Sequence, residues 1–300
     1  MARRIVIGFE ETEQGKDALA LGQALARALG ATPLVATVLP WPGDLAGMAD
    51  VQSAMEAEAG KGLADAVAEM DALGAGAATL VNPSASKGLY TIAHENDALL
   101  IVIGSSHRSA VGRVLAGSVG RSLLHGSPCG VAVAPRGYAA DPASEFAHLA
   151  VAYDGSDEAE AALRTAIELG RLCAARLTVL TVSEPERYGL GTALAILAEA
   201  DFHSVEREAR ERVLAQGLEA IPEGIEKDGH VLAGPAGQAI ADASTDCDLL
   251  LVGSRGYGPI RQALLGSTAG AVIGSAVCPV VVLPRGAGVE PLGLGETGSG

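Results

Sequence analysis

Short, nearly continuous apolar runs alternate along this chain with longer segments in which apolar residues recur every three or four positions. Such runs are typical of strands buried on both faces, because a strand that faces water on one side alternates apolar and polar residues. Their alternation with helices predicts βαβ units, in which helices cover both faces of a parallel sheet. The predicted strands are IVIGF, PLVATVL, AATLV, ALLIVIG and GVAVAP in the first half, and LAVAY, RLTVLTV, GHVLA, DLLLVG and PVVVLP in the second.

The clearest helical patterns lie in residues 13–29 and 157–174. Ser156 precedes the second of these helices as its predicted N-cap, and acidic residues follow in the first turn, where the helix dipole favours negative charge. The apolar stripe of this helix consists of Ala159, Ala162, Leu163 and Ala166. These signals predict where the helix begins and which face it buries.

The two halves of the chain are copies of each other. Residues 2–19 align with residues 148–163, and residues 101–137 align with residues 250–286. The distance between matching residues is slightly larger in the second block, which indicates a short insertion in the middle of the second copy. Matching pairs include Glu10 and Asp154, Gly104 and Gly253, Gly117 and Gly266, and Cys129 and Cys278. Such colinear blocks predict two domains of the same fold, and in each of them helices cover both faces of a parallel sheet.

The repeat also defines the domain boundaries. The first domain is predicted to span residues 1–137 and the second residues 147–286. Between them, Pro and small polar residues interrupt the pattern, so residues 138–146 are predicted to be a linker. The Gly-rich residues 287–300 are predicted to form a disordered tail.

Charge and cysteine usage narrow the class of protein. The formal net charge is −15, and no run of Lys and Arg is present, which argues against binding to nucleic acid or to an anionic membrane surface. No run of 18 apolar residues appears, so no transmembrane helix is predicted. The four cysteines lie far apart in the sequence and show no metal-ligand spacing. Reduced core thiols in a cytoplasmic protein are therefore expected, with no metal site.

A glycine-rich stretch follows the fourth predicted strand of the second copy. It reads GSRGYGPIRQALLGSTAG over residues 253–270. The carboxyl ends of parallel strands line the ligand crevice of such sheets, and a helix N-terminus supplies free N–H groups to an anion. The stretch matches neither a P-loop nor the dinucleotide fingerprint G-x-G-x-x-G after the first strand. It therefore predicts a phosphate site of a different design.

The spacing G-x2-G-x9-G-[ST] resembles the nucleotide loop of the universal stress protein family, and VAYDGS, TVLTV and CPVVVLPRG resemble other parts of it. The resemblance covers nearly all of both copies, so the chain looks like a tandem universal stress protein. It implies a Rossmann-like α/β fold with strand order 3-2-1-4-5 in each copy. It also implies a site for ATP, with or without Mg²⁺, between the first and fourth strands.

The resemblance implies the nucleotide-binding residues of each copy. Those of the second copy are Asp154 for the nucleoside, Val182 beside adenine, and Gly253, Arg255, Gly256, Gly266, Ser267 and Thr268 around the phosphates. Those of the first copy are Glu10, Val38, Gly104, His107, Gly117 and Ser118. An alternative role for Asp154 is to cap the helix that follows it, although Ser156 is the better cap.

The first copy departs from the family pattern at two of these positions. Glu10 is one methylene longer than Asp154, and His107 replaces Gly256. If that loop position requires a positive φ, His107 is strained. Either the His107 imidazole faces a phosphate, or His107 is a loop residue that is merely tolerated at this position. The second copy is therefore predicted to be the better ATP site.

The sequence favours nucleotide binding over catalysis. It contains no G-x-S-x-G motif and no His visibly paired with a nucleophile, so no catalytic residue is assigned. A regulatory or stress-tolerance role is expected, with slow ATP hydrolysis and a nucleotide-free interaction module as the alternatives. The last strand of each copy ends the domain at a sheet edge, and an exposed edge invites pairing. The two copies are therefore predicted to pair through these strands, and a homodimer of whole chains remains an open alternative.

Overall fold

The computed structural model describes residues 3–40, 49–184, 193–254 and 265–284. In chain order, the first copy contains β1 (Arg4–Gly8), α1 (Glu13–Leu29), β2 (Thr32–Leu39), α2 (Ala49–Ala68), β3 (Gly76–Val81), α3 (Ala85–Glu95), β4 (Leu100–Gly104), α4 (Ser118–Leu124) and β5 (Gly130–Ala134). The second copy contains β6 (His148–Ala152), α5 (Asp157–Cys173), β7 (Arg176–Ser183), α6 (Ala193–Ala220), β8 (Lys227–Ala233), α7 (Ala236–Ala243), β9 (Leu249–Gly253), α8 (Ser267–Ile273) and β10 (Val280–Leu283). Short 3-10 helices cover Asp71–Leu73, Tyr138–Ala140 and Ser244–Asp246. The predicted tail lies outside the described residues.

The strands form one sheet in the order β3-β2-β1-β4-β5-β10-β9-β6-β7-β8. Within each copy all neighbouring strands are parallel, and the order 3-2-1-4-5 occurs in both copies. The predicted fold class is therefore confirmed. At the centre, β5 and β10 lie side by side and antiparallel, with Val281 opposite Ala132. The last strands of the copies are thus interior strands of the described sheet.

Both faces of the sheet are buried, which explains the lack of polar alternation in the strands. Ile5 and Ile7 pack on one face with the residues of α1 and α5, while Val6, between them, packs on the other face with residues of α3 and α4. All three side chains are fully buried. Successive residues of a strand point to opposite faces, so each must be apolar when helices cover both.

The helix that follows the first strand begins at an N-cap in both copies. Thr12 accepts a hydrogen bond from the Gly15 N–H at 3.2 Å in the first copy. Ser156 accepts one from the Ala159 N–H at 3.3 Å in the second, which confirms its predicted role. Each hydroxyl satisfies one of the N–H groups that a helix start leaves without an intrahelical acceptor.

The predicted linker is ordered and packs against the first copy. The Asp17 side chain, only 2% exposed, accepts hydrogen bonds from the N–H groups of Gly137 at 2.8 Å and Ala139 at 2.9 Å. Phe146, at the other end of the segment, is buried in the core. The segment is therefore a structured connection, and Asp17 anchors its first turn to α1.

Asp17→Ala is expected to lower the free energy of unfolding by about 2 kcal/mol, because two backbone N–H groups lose their acceptor in a buried place. Asp141→Ala removes an exposed carboxylate from the same segment. This control should change stability by less than about 0.5 kcal/mol. Denaturant unfolding of both variants checks the difference, and equal stabilities would contradict the anchoring role.

The four cysteines are free thiols. Cys129 and Cys278 are buried, as predicted, whereas Cys173 and Cys247 are half-buried and pack against the core at its margin. Across the described ranges, no helix combines the length and the apolar composition needed to span a bilayer.

Candidate functional site

The candidate sites lie where the strand order within each copy reverses. In the first copy, β1 and β4 are parallel neighbours, and in the second copy β6 and β9 are. Glu10 and Asp154 follow the first strand of each pair, and Gly104 and Gly253 end the second. The strands of a pair have their carboxyl ends at the same edge, where open α/β sheets bind ligands. The fold therefore brings the predicted carboxylate and glycine of each copy to one edge.

In the first copy this edge contains a cleft with a volume of about 130 Å³. Its wall is apolar at Val38, Leu89 and Ile103, and its rim is polar at Glu10 and Thr12. The other lining residues are Gly8, Phe9, Gln14, Gly15, Ala36, Ala85, Gly104 and Val119. An apolar wall with a few polar groups at its rim is typical of small-molecule sites. Three of the residues predicted for this copy, Glu10, Val38 and Gly104, line the cleft together.

A buried threonine holds the chain just before the site carboxylate in each copy. Thr37 Oγ1 donates to the Phe9 carbonyl at 3.0 Å, and Thr181 Oγ1 donates to the Tyr153 carbonyl at 3.0 Å. Both threonines are buried and occupy matching positions on β2 and β7. They fix the exit of the first strand and thereby the position of the carboxylate that follows. The two threonines also match when PLVATVL is aligned with RLTVLTV, so the repeat in the sequence indicates this shared role.

The two carboxylates differ in their local bonds. Asp154 Oδ1 accepts hydrogen bonds from the Ser156 N–H at 3.0 Å and from Ser156 Oγ at 2.6 Å. In the first copy the matching Thr12 N–H instead donates to the backbone carbonyl of Glu10 at 2.7 Å, and the Glu10 side chain is exposed. Asp154 thus braces the helix cap, Ser156, and is half-buried at the edge. The shorter side chain stays close to the backbone, whereas the longer one extends into solvent.

Gly104 and Gly253 have a packing role that their spacing in the sequence does not predict. A Cβ at Gly104 would lie 2.1 Å from the backbone oxygen of Gln14, in the first turn of α1. A Cβ at Gly253 would lie 2.8 Å from the Cβ of Glu158, in the first turn of α5. At both glycines, therefore, the first helix of that copy approaches the fourth strand too closely for any side chain.

The loop after β4 is closed at its base by Ser105. Its hydroxyl donates to the Ala134 carbonyl at 2.6 Å and accepts from the Leu115 N–H at 3.1 Å. Gly117 then forms the N-cap of α4, with Ser118 exposed as the first helical residue. His107 is exposed on this loop, away from the closed base.

The expected strain at His107 is not found. Among the described non-glycine residues, a positive φ occurs only at Asp97 and Ala174. The backbone of His107 therefore lies in a region that any L-residue adopts readily. A histidine costs the first copy no backbone strain at this position.

At the corresponding place in the second copy, the described hydrogen bonds join backbone groups of Ser254. The Gly266 N–H donates to the Ser254 carbonyl at 2.7 Å, and Gly266 is the N-cap of α8 with φ −62° and ψ 153°. Ser267 is exposed and Thr268 half-buried at the start of this helix, and Val182 is half-buried at the end of β7. The predicted Arg255 and Gly256 lie outside the described residues.

The two loops also contact the other copy. The Leu265 N–H, one residue before the α8 cap, donates to Nδ1 of His125 in the first copy at 3.0 Å. In the reverse direction, the Val114 N–H donates to the Ala276 carbonyl at 2.7 Å. No spacing in the sequence signals these contacts, because they join residues that only the β5–β10 junction brings together.

The repeat, the strand order and the paired sites agree with one protein family. The sequence profile of the "Universal stress protein family" matches residues 1–135 and again residues 145–284. The chain belongs to the universal stress protein family. It carries two universal stress protein domains in tandem.

Relatives of known sequence are similar to the chain over different lengths. A universal stress protein of Mycobacterium tuberculosis is 33% identical over 62% of this chain, and the chain covers 62% of that relative's length. A second universal stress protein of the same species is 26% identical over 93% of this chain and 99% of its own length. The crystal structure of a universal stress protein from Archaeoglobus fulgidus, at 23% identity, covers 94% of this chain and 96% of its own, with a TM-score of 0.65. That likeness supports the tandem α/β fold.

Proposed function

We propose that this tandem universal stress protein is a cytoplasmic ATP-binding protein with a regulatory or stress-tolerance role, and that its second copy is the better ATP site. The glycine pattern that opens with Gly253 and ends with Gly266-Ser267 carries this proposal, because only the second copy preserves it in full. The backbone hydrogen bond between Gly266 and Ser254 and the helix that starts at Ser267 support it.

Each part of the edge is suited to one part of the nucleotide. Val182 offers an apolar contact to adenine, and the Asp154 carboxylate is a hydrogen-bond acceptor for a ribose hydroxyl. Free N–H groups and the hydroxyls of Ser267 and Thr268 at the start of α8 are donors for phosphate oxygens. The net charge of −15 repels an anion, so these local donors must supply the attraction. Mg²⁺ bound to the phosphates would lower that repulsion.

The first copy supports a weaker version of the same site. Its cleft has an apolar wall beside Val38, but Glu10 extends into solvent and His107 stands in place of a loop glycine. A carboxylate on a longer, exposed side chain loses more conformational entropy when it binds a hydroxyl. The binding free energy of ATP is therefore expected to be less favourable in this copy.

Slow ATP hydrolysis is the second candidate function. Hydrolysis needs an oriented water together with a base or an equivalent stabilising charge. In the described part of each site, the Asp154 carboxylate accepts hydrogen bonds from Ser156, and the Glu10 carboxylate is exposed. Turnover on the order of 1 s⁻¹ in a steady-state assay would favour the enzyme over the binding protein.

We further propose that the two copies remain paired through β5 and β10 in solution. Val131 and Val133 face Val282 and Val280 across this junction, and all four side chains are buried. A tandem chain holds both partners at a high effective concentration, which favours intramolecular pairing over association between chains. Whole chains that dimerise would have to use another surface.

Gly266→Val is expected to abolish ATP binding by the second copy, with a loss of affinity of at least about tenfold. The backbone of Gly266 is in an extended region that valine also adopts, so valine fits the backbone conformation and its side chain would block the ligand. Gly117→Val is the matched control in the first copy, where a Cβ would meet its nearest neighbour, Ser106, at an ordinary 3.5 Å. Native mass spectrometry and calorimetry with added ATP count and rank the bound nucleotides.

The two variants separate the possible outcomes. Wild-type protein should carry nucleotide mainly in the second copy, so Gly266→Val should remove most of it and Gly117→Val little. If Gly117→Val removed the tighter site, the assignment of the better site to the second copy would be overturned. Wild-type protein that bound no ATP in either measurement would overturn the proposed function itself.

A further inference from the structure

Two cysteines that are distant in the sequence lie side by side in the second copy. Cys247 precedes β9 and Cys278 precedes β10, and these two strands are parallel neighbours. Their Sγ atoms are 3.6 Å apart. Cys247 is half-buried and Cys278 is buried. The pair lies at the amino ends of the strands, opposite the edge that carries the candidate nucleotide site.

We propose that Cys247 and Cys278 are a redox-modification site, at which a peroxide converts the two thiols into a reversible disulfide. A disulfide requires an S–S distance of about 2.05 Å and Cα atoms roughly 4.4–6.8 Å apart. The register of β9 with β10 places Cys278 level with Asp248, one residue from Cys247. A strand spacing of about 4.8 Å and a rise of about 3.3 Å per residue then put the two Cα atoms roughly 6 Å apart, within this range. The sulfurs need to approach by about 1.5 Å, which side-chain rotation can supply without separating the strands.

The reaction is balanced with peroxide as the only oxidant. The thiolate of Cys247 attacks one peroxide oxygen, the O–O bond breaks, and hydroxide leaves as water after protonation, which yields a sulfenic acid. The sulfur of Cys278 then attacks the Cys247 sulfur, and the S–O bond breaks as the S–S bond forms. The thiol proton of Cys278 leaves with the hydroxide as a second water. Two thiols are oxidised and one peroxide is reduced to two waters.

The environments of the thiols determine this order of attack. A hydrogen bond with Cys247 and burial both raise the pKa of the Cys278 thiol well above its usual range. Because the thiolate is the nucleophile, buried Cys278 is a poor target for an external oxidant. Cys247, at the half-buried position, is the group that peroxide can reach. Cys278 is then the resolving thiol, which needs contact only with its neighbour.

The disulfide would join the two ends of the chain segment from Cys247 to Cys278. The chain between Cys247 and Cys278 includes β9, the stretch 253–270 and α8. A cross-link at the ends of this segment closes it into a ring and reduces the conformational freedom of the unfolded chain. Ala276, two residues before Cys278, accepts the hydrogen bond from Val114 of the first copy. Oxidation would therefore act on the second copy at its junction with the first.

The first copy provides an internal control. Cys129 occupies the position that matches Cys278, but Ala98 occupies the position that matches Cys247. Burial raises the pKa of the Cys129 thiol to about 12, and its polar neighbour is the Ser127 hydroxyl at 4.0 Å. Cys129 therefore has the burial of a resolving thiol without a partner on the adjoining strand, and it should remain reduced.

The test is to treat the folded full-length chain with hydrogen peroxide, block free thiols with iodoacetamide after unfolding, and measure the intact mass and the mapped peptides. Untreated protein should take four adducts. Oxidised protein should take two, on Cys129 and Cys173, with a Cys247–Cys278 peptide lighter by two hydrogens and reversible by dithiothreitol. Four adducts after treatment, a sulfinic acid at Cys247 with Cys278 free, or a disulfide involving Cys173 would each overturn the proposal.

Two variants test whether Cys247 and Cys278 form the disulfide because of their positions and environments. Cys247→Ser should leave Cys278 fully alkylated after the same peroxide treatment. Ala98→Cys supplies a partner for Cys129, but Ala98 and Cys129 are both buried, so this variant should form only the Cys247–Cys278 disulfide if access of peroxide to the first thiol is required. Ala98→Cys protein in which the Cys247–Cys278 disulfide failed to form would again count against the proposal. None of these readouts depends on nucleotide binding.

Discussion

Gly104→Ala is expected to lower the free energy of unfolding by about 3 kcal/mol, the upper part of the usual range for overpacking. The added Cβ would lie 2.1 Å from the Gln14 backbone oxygen and 2.8 Å from its carbonyl carbon. Both atoms belong to the backbone of α1, so no side-chain rotation relieves the contact. The first turn of α1 must move away from β4, and it carries with it the helix start that lines the cleft.

Gly60→Ala is the matched control for this variant. Gly60 lies in α2, and a Cβ there would meet nothing within 4 Å. Alanine in the middle of a helix is favoured over glycine by about 0.8–1 kcal/mol, so this variant should be more stable than the parent. Denaturant titrations followed by circular dichroism measure both changes. A Gly104→Ala protein as stable as the parent would show that the close contact between α1 and β4 is absent in solution.

The sequence predicted the fold well because each strand and helix has a local sequence pattern and the whole set of patterns occurs twice. Ten apolar runs marked the strands, and Ser156 with its acidic neighbours marked a helix start that the structure confirms. The order of the strands came only from the resemblance to the universal stress protein family, because hydrophobic periodicity does not encode which strand lies beside which. The alignment of the copies could also have identified Thr37 and Thr181, since both lie at matching places in matching strands.

Other parts of the site could not be read from the sequence. Gly104 and Gly253 were predicted to be nucleotide-binding residues, where glycine lets a ligand approach the backbone, and the structure shows that a helix also approaches them. Both causes require glycine, so the residue type alone does not distinguish them. The buried Asp17 carboxylate and the His125 imidazole accept hydrogen bonds from residues far along the chain. Contacts of this kind leave no periodic trace, because each consists of one polar residue with a distant backbone group.

The sheet junction can be tested because successive residues of β10 face different strands. The Leu250 N–H donates to the Pro279 carbonyl at 3.0 Å, and the Ser254 N–H donates to the Leu283 carbonyl at 2.8 Å. Pro279 and Leu283 therefore direct their backbone groups toward β9. Backbone groups alternate sides along a strand, so Val281 also faces β9, and Val282 faces β5 across the junction.

Val282→Pro is therefore expected to separate the two copies. Proline removes the N–H that faces β5 and places its ring against that strand, while the side of β10 that pairs with β9 keeps its donors. The expected results are a larger radius of gyration in solution scattering and separate unfolding transitions for the two copies in calorimetry. Val281→Pro acts on the other side of the same strand, so it should destabilise the second copy itself.

Val81→Pro is the control for the chemical change from valine to proline. The Asn82 N–H donates to the Leu39 carbonyl on β2 at 3.0 Å, so the preceding N–H, that of Val81, points away from β2. In the described sheet β3 is an edge strand, where proline is tolerated on the side without a neighbour. Val81→Pro should therefore leave the scattering curve unchanged. A Val282→Pro protein as compact as Val81→Pro would show that the copies are held together by another surface, with the packing of α1 against α5 as the first to examine.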